Sequence, residues 1–183
     1  MTTDILHPRV VEIIGALDDA HRFMLDTVAI IPEAVQNAPA ADGAWSIAQH
    51  LEHLAIVEDG VGRLMSKLIK QVAADDSRET EESSVVHSID HLQIWRVARK
   101  IVAPDMVRPT LSLSASDAVS RLTASRARMI EVLKGASGLA LASVSAPHPV
   151  VGPLNIYQWG IMSAHHQRRH TGHIRRLAGL DEA

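Results

Sequence analysis

A chain of 183 residues, 46% hydrophobic and 21% charged, has the composition of one globular domain with a sizeable core, and weighs against two. Aromatics are only 3%, so Leu, Ile, Val, Ala and Met must build that core, a helix-favouring mixture unlike an aromatic-stacking nucleic-acid module. A formal charge of −3 offers phosphate backbones no strong attraction, and the absence of Cys excludes disulfides, thiolate zinc sites and a cysteine nucleophile.

The N-terminal MTTDILHPRV lacks the basic and apolar regions of a secretory leader, and no uninterrupted apolar segment is long enough to span a bilayer, so the expected location is the cytoplasm. From Val10 to Val35 apolar residues recur three or four apart (Val10, Ile14, Leu17, Met24, Leu25, Val28, Ile31), the stripe of a first amphipathic helix that Pro32 kinks or ends. His21 falls on that stripe and reads as a hydrogen-bonded core histidine rather than a ligand. Asn37 to Gly43 carries turn residues.

A second helix is expected from Ser46, because Ser46 and Gln49 have the spacing of a capping box, with Trp45 just outside. Its core stripe of Ile47, Leu51, Leu54, Val61, Met65 and Leu68 runs to about Val72. Asp75 to Ser84 (DDSRETEESS) has five acidic residues and no apolar ones, which predicts a solvated, mobile loop within the single domain spanning 1–183. Val85 to Val102 suggests a short extra helix or packed segment before Pro104 and Pro109. A third helix begins at a cap, Ser114 or Ser116, and continues through Val119, Leu122, Met129, Ile130 and Leu133 to Gly135. Ala136 to Pro153, with His148 between two prolines, is expected to be loop, and Asn155 to Ala178 the last helix. With nothing alternating like a strand, the expected class is all-α, a four-helix bundle.

Eleven histidines are an excess that composition does not explain, and they cluster around His50 and His53 and from His165 to His173. At 100° per residue Trp159, Met162, His166, His170, His173 and Leu177 share the inward face of the last helix while His165 points away. His166 and His170 stand on adjacent turns, a spacing that lets two imidazoles hold one metal ion. A third imidazole can come from the second helix. His50 lies within its core stripe and His53 at the edge, so periodicity favours His50 for burial, whereas a metal with an open coordination position favours a boundary residue such as His53. Arg168, Arg169, Arg175 and Arg176 flank the cluster, but a histidine-rich inward face argues against membrane insertion, and these arginines alone are thin support for DNA binding. Glu-x-x-His, His-Glu-x-x-His, Gly-x-Ser-x-Gly and P-loop patterns are all absent, which removes di-iron, protease, serine-hydrolase and NTPase readings.

The stretch Trp45-Ser46-Ile47-Ala48-Gln49-His50-Leu51-Glu52-His53-Leu54, with the ending His166-x-x-x-His170-x-x-His173-Ile174 and the Pro149 to Leu154 approach to Trp159, resembles the DinB/YfiT-like superfamily. The resemblance implies an up-down-down-up bundle, a homodimer, and a divalent metal held by His53, His166 and His170, with His50, His173 and Glu52 as fallback ligands or outer partners. His173 stands where many members have Gln. Three neutral imidazoles suit Zn²⁺ or Ni²⁺, with Fe²⁺ or Mn²⁺ less apt without a carboxylate ligand. Relatives that use low-molecular-weight thiols imply a transferase in which the metal activates a thiol cosubstrate toward a small-molecule substrate; a hydrolase using metal-activated water is the variant. Glu52, Glu58 and Asp59 are candidate outer partners or proton carriers, each more readily read as a surface carboxylate. The competing class is a non-catalytic dimeric bundle that binds a small ligand or a partner protein.

Overall fold

The computed structural model describes residues 5–40, 43–92, 102–110 and 113–180. Helix α1 (Pro8–Ala29) opens with proline in its first turn, where the missing N–H costs nothing, and buries Val10, Ile13, Leu17, His21, Met24 and Val28. It is shorter than the periodicity suggested. Pro32 can neither donate to Val28 nor tolerate a helical residue before it, so the chain breaks and restarts as the one-turn α2 (Glu33–Gln36).

Helix α3 (Ile47–Ala74) begins at the expected capping box: the Ser46 N–H donates to Gln49 Oε1 at 2.8 Å and the Gln49 N–H to Ser46 Oγ at 3.2 Å. Helix α4 (Ala115–Gly135) is capped by Ser114, which accepts from the Asp117 N–H. Helix α5 (Ile156–Leu177) carries a second capping box, Asn155 with Gln158. Among the described residues no helix is long and apolar enough to cross a membrane.

The expected loop at 136–153 is wrong in its second half. Ser145–His148 (β1) pairs antiparallel with Gly152–Asn155 (β2), in register from Ser145 opposite Asn155 to His148 opposite Gly152. Strands of four residues that set Pro147 opposite Pro153 are too short and too proline-rich to show alternation in sequence. Gly152 sits at φ 86°, which favours glycine. Of the short helix or packed segment expected from Val85 to Val102, the described part holds a one-turn 3-10 helix at Asp90–Leu92, and residues 93–101 lie outside the described chain; a further 3-10 turn, Asp105–Val107, follows Pro104.

The acidic connection after α3 carries several anchors. Glu79 accepts from the Tyr157 hydroxyl at 2.7 Å and pairs with Arg9 at 3.2 Å, Arg9 also donates to Ser83, and Arg78 bridges to Leu139. The Glu79 side chain is only 5% exposed, so a buried carboxylate and backbone bonds such as that from the Glu79 N–H to the Gly138 carbonyl anchor this stretch.

Helices α1 and α5 meet at Arg9 and Tyr157, at Ile13 and Gly160, and at His21 and Gln167. The helices approach closely at Gly160, where an added Cβ would collide with Ile13 Cγ2. Two apolar clusters fill the bundle: Ile13, Leu17, Met65, Met129 and Tyr157 belong to one, and Met24, Leu51, Leu54, Leu122 and Ile174 to the other. Between them a polar layer crosses the core. Arg126 donates to both carboxylate oxygens of Glu58, to the Leu17 carbonyl at 2.6 Å and to Gln167 Oε1 at 2.6 Å. Gln167 in turn donates to His21 Nδ1 at 3.1 Å, and His21 Nε2 meets Thr123 Oγ1 at 3.1 Å. His21 is thus the hydrogen-bonded core histidine that its position on α1 implied.

Candidate metal centre

The first turns of α3 and the second half of α5 bring five histidines together. His53, His166 and His170 each offer a ring nitrogen such that all three lie within 4.8 Å of one another, the one such cluster among the described residues. His53 and His170 are buried and His166 is half-buried. Periodicity ranked His50 above His53 for burial; the structure reverses this. His53 is 4% exposed because Leu51 to Ala55 are buried on every side, packed by neighbours from outside the helix stripe. One of these is the 3-10 turn at Asp105–Val107, where the Val107 carbonyl accepts a 2.7 Å bond from His53 Nδ1.

That bond fixes chemistry. A carbonyl can only accept, so Nδ1 of His53 carries the proton and Nε2 keeps its lone pair. His53 Nε2 lies 3.3 Å from His166 Nε2. Two nitrogens bound at 2.0–2.1 Å with a tetrahedral angle between them stand about 3.3 Å apart, so this pair already has the spacing of two ligands to one ion. His170 Nδ1 lies 2.9 Å from His50 Nδ1, which engages that nitrogen and leaves Nε2 for the cluster. Trp45 packs over the group, its ring 4.8 Å from His53, 5.4 Å from His50 and 6.2 Å from His170.

Burial and mutual repulsion keep these rings neutral. Burial is the largest cause at His166, whose pKa falls to about 3, with His53, His148 and Arg169 adding to the depression. Burial also takes His50 to about 3 and carries His170 well below the ordinary value. At His53 burial outweighs the opposing bond to Val107. Neutral imidazoles with convergent lone pairs are the state a metal ion requires, so the donor set fits a divalent cation.

The fallback ligands do not join the cluster. His50 is tied to His170 and stacks on His173 with centroids 5.4 Å apart, while His173 Nδ1 meets Arg176 at 2.9 Å. Glu52, 2% exposed, accepts from the Thr110 hydroxyl at 2.6 Å. The surface reading fails for it and for Glu58, which is 4% exposed and held by Arg126. Only Asp59 behaves as expected, partly exposed and paired with Arg63 and Arg128. On α5 the expected inward face is also shifted. Leu177 is 43% exposed, whereas Gln167 and Thr171 are fully buried, because the α1 and α4 side of the helix is covered as well. Val107 orients His53, and no sequence pattern signals it, since its contribution is a backbone carbonyl. A surface cleft of about 420 Å³, lined among others by Glu12, Asp19, His165 and Arg168, includes none of these five histidines, and its Glu12 is committed to Ser84 and the Val85 N–H.

Comparison with known proteins places this geometry in context. The family model of the DinB superfamily matches residues 16–174, a span that includes all three clustered histidines. Neither the curated proteins nor the solved structures contain a significant match to the chain.

Proposed function

Since the chain belongs to the DinB superfamily, we propose that His53, His166 and His170 hold one divalent metal ion, and that the protein is a transferase acting with a low-molecular-weight thiol on a small-molecule substrate. The observation that carries the reading is the convergence of three neutral imidazoles, two of which, His53 and His170, have their other ring nitrogen engaged elsewhere. The bound ion supplies a positive charge that lowers the pKa of a thiol and fixes its sulfur beside an electrophile. Zn²⁺ or Ni²⁺ suits an all-imidazole donor set best, with Fe²⁺ or Mn²⁺ less favoured.

The chain's own residues provide positioning. Val107 holds the tautomer of His53, His50 engages His170, and Trp45 covers the rings from the α3 side. A thiol is favoured over water as the nucleophile because the nearby carboxylates are committed. Glu52 is bonded by Thr110, Glu58 by Arg126, and Asp59 by Arg63 and Arg128, so none is placed to take the proton of an attacking water, whereas a thiol gives up its proton far more readily. The absence of Cys means that the thiol comes from outside.

The helix order in this proposal is up-down-down-up. It is supported by the ascending α1 and α5 pairs (Arg9 with Tyr157, His21 with Gln167) and by the opposed α3 and α5 pairs (His50 with His170, His53 with His166). A cytoplasmic homodimer without nucleic-acid or membrane partners completes the reading.

Elemental analysis of untagged protein purified without chelator tests it directly. About one Zn or Ni per chain is expected in the wild type and none in His170→Ala. A wild type that is metal-free and takes up no added divalent ion overturns the proposal and leaves a non-catalytic bundle.

A further inference from the structure

Two buried side-chain polar atoms among the described residues have no hydrogen-bond partner, Trp159 Nε1 and Ser88 Oγ. Ser88 lies near the first turn of α5, where the Gln158 amide reaches its carbonyl, and Trp159 is the next residue of that turn. Trp159 is 6% exposed. A buried indole N–H normally finds an acceptor, and leaving it unmet is costly, so an orphan here asks what is meant to accept from it.

The ring packed on Trp159 is His148, at the end of β1, with centroids 5.2 Å apart. His148 Nδ1 accepts from the Val150 N–H at 3.2 Å, and burial lowers its pKa. The neutral ring therefore carries its proton on Nε2, a second N–H on a ring packed against Trp159. His148 also acts electrostatically on His166, and Trp159 lies two turns before His166 on the histidine stripe, so both donors border the His166 side of the cluster. Of the groups that depress the His166 pKa, Arg169 is the fixed cation, and no carboxylate opposes it. One fixed cation without an opposing carboxylate, together with an unpartnered N–H on Trp159 and a second on the ring packed against it, suits an anion.

We propose that Trp159 and His148 form an anion subsite next to the three histidines, one that takes the carboxylate of a small molecule whose thiol or reacting carbon lies at the metal. This rests on the metal reading above and narrows its substrate class to acids. The indole N–H and the imidazole Nε2–H are the specificity-determining donors, and the β1–β2 hairpin exists at this end of α5 to deliver one of them.

The test uses Co²⁺-loaded full-length protein and two probes, mercaptoacetate and 2-mercaptoethanol, titrated through the thiolate-to-cobalt absorption band. Wild type is expected to bind the acid about tenfold or more tightly, the worth of a hydrogen bond to a charged group. In Trp159→Phe, which keeps the ring and loses the N–H, and in His148→Phe, that ratio falls toward one. Equal affinities in the wild type, or a ratio unchanged in both variants, overturn the proposal. A second readout needs neither metal nor a stable variant core: the Trp159 indole ¹H–¹⁵N resonance of wild-type protein, titrated with acetate. A saturable shift supports the subsite even if cobalt is not taken up, in which case only the metal reading fails. An indole resonance that acetate leaves unmoved counts against the subsite.

Discussion

The molecule buries histidines in two ways within one bundle. In the mid-core layer His21 has both ring nitrogens spoken for, one by Thr123 and one by Gln167, and that layer is closed by the pairing of Arg126 with Glu58. In the cluster near the start of α3, His53 and His166 turn nitrogens toward each other and toward His170, with no carboxylate or hydroxyl to complete them. Burial is common to both regions and therefore says little about function. What separates them is whether donors and acceptors balance, and only the second region has lone pairs to spare.

The largest expected effect lies in the closed layer. Arg126→Met leaves Glu58 without its partner at 4% exposure, and unfolding in urea should show a loss of about 3–5 kcal/mol. Removing the carboxylate as well, in Arg126→Met/Glu58→Met, should recover most of it. Equal stabilities for the single variant and wild type would erase the distinction between a completed layer and an open one.

A smaller effect comes from protons. Burial is the main cause that lowers the His21 pKa to about 4, with Arg126 contributing and Asp18 opposing. The unfolded chain, with His21 near 6.5, then binds more protons than the folded one between about pH 4 and 6.5. Stability contributed by the neutral ring is present above that window and declines as pH falls through it. Denaturant midpoints measured across this range should fall less steeply in His21→Gln than in wild type, and parallel slopes would show that His21 is not held neutral.

The smallest effect is expected in the open cluster. His166→Ala removes a half-buried ring whose Nε2 faces only other imidazoles, so metal-free stability should change by less than about 1 kcal/mol. The same variant should lose stoichiometric metal. A large destabilisation without metal would mean that the cluster is a structural layer like the first.

Much of the scaffold was readable one residue at a time. Ser46 with Gln49, and Pro32, act through bonds and clashes within a few residues, and the structure has the cap and the break at those positions. That His53, His166 and His170 converge was legible through their motif. Spacing alone offered His50 on equal terms with His53, and the decision came from Val107, which is 54 residues away and acts through its backbone. Glu52 and Glu58 were misjudged for the same reason: their partners, Thr110 and Arg126, are 58 and 68 residues distant. His148 stood out between two prolines, but nothing local linked it to Trp159.

By itself, then, the amino-acid sequence determined the helices, their caps and breaks, and the pool of histidines on two faces, because those features depend on local periodicity and on backbone groups close by. Tertiary structure alone decided which histidines are closed by partners and which converge with free lone pairs, since hydrogen-bond balance is settled by groups that meet only when α1, α3, α4 and α5 pack together.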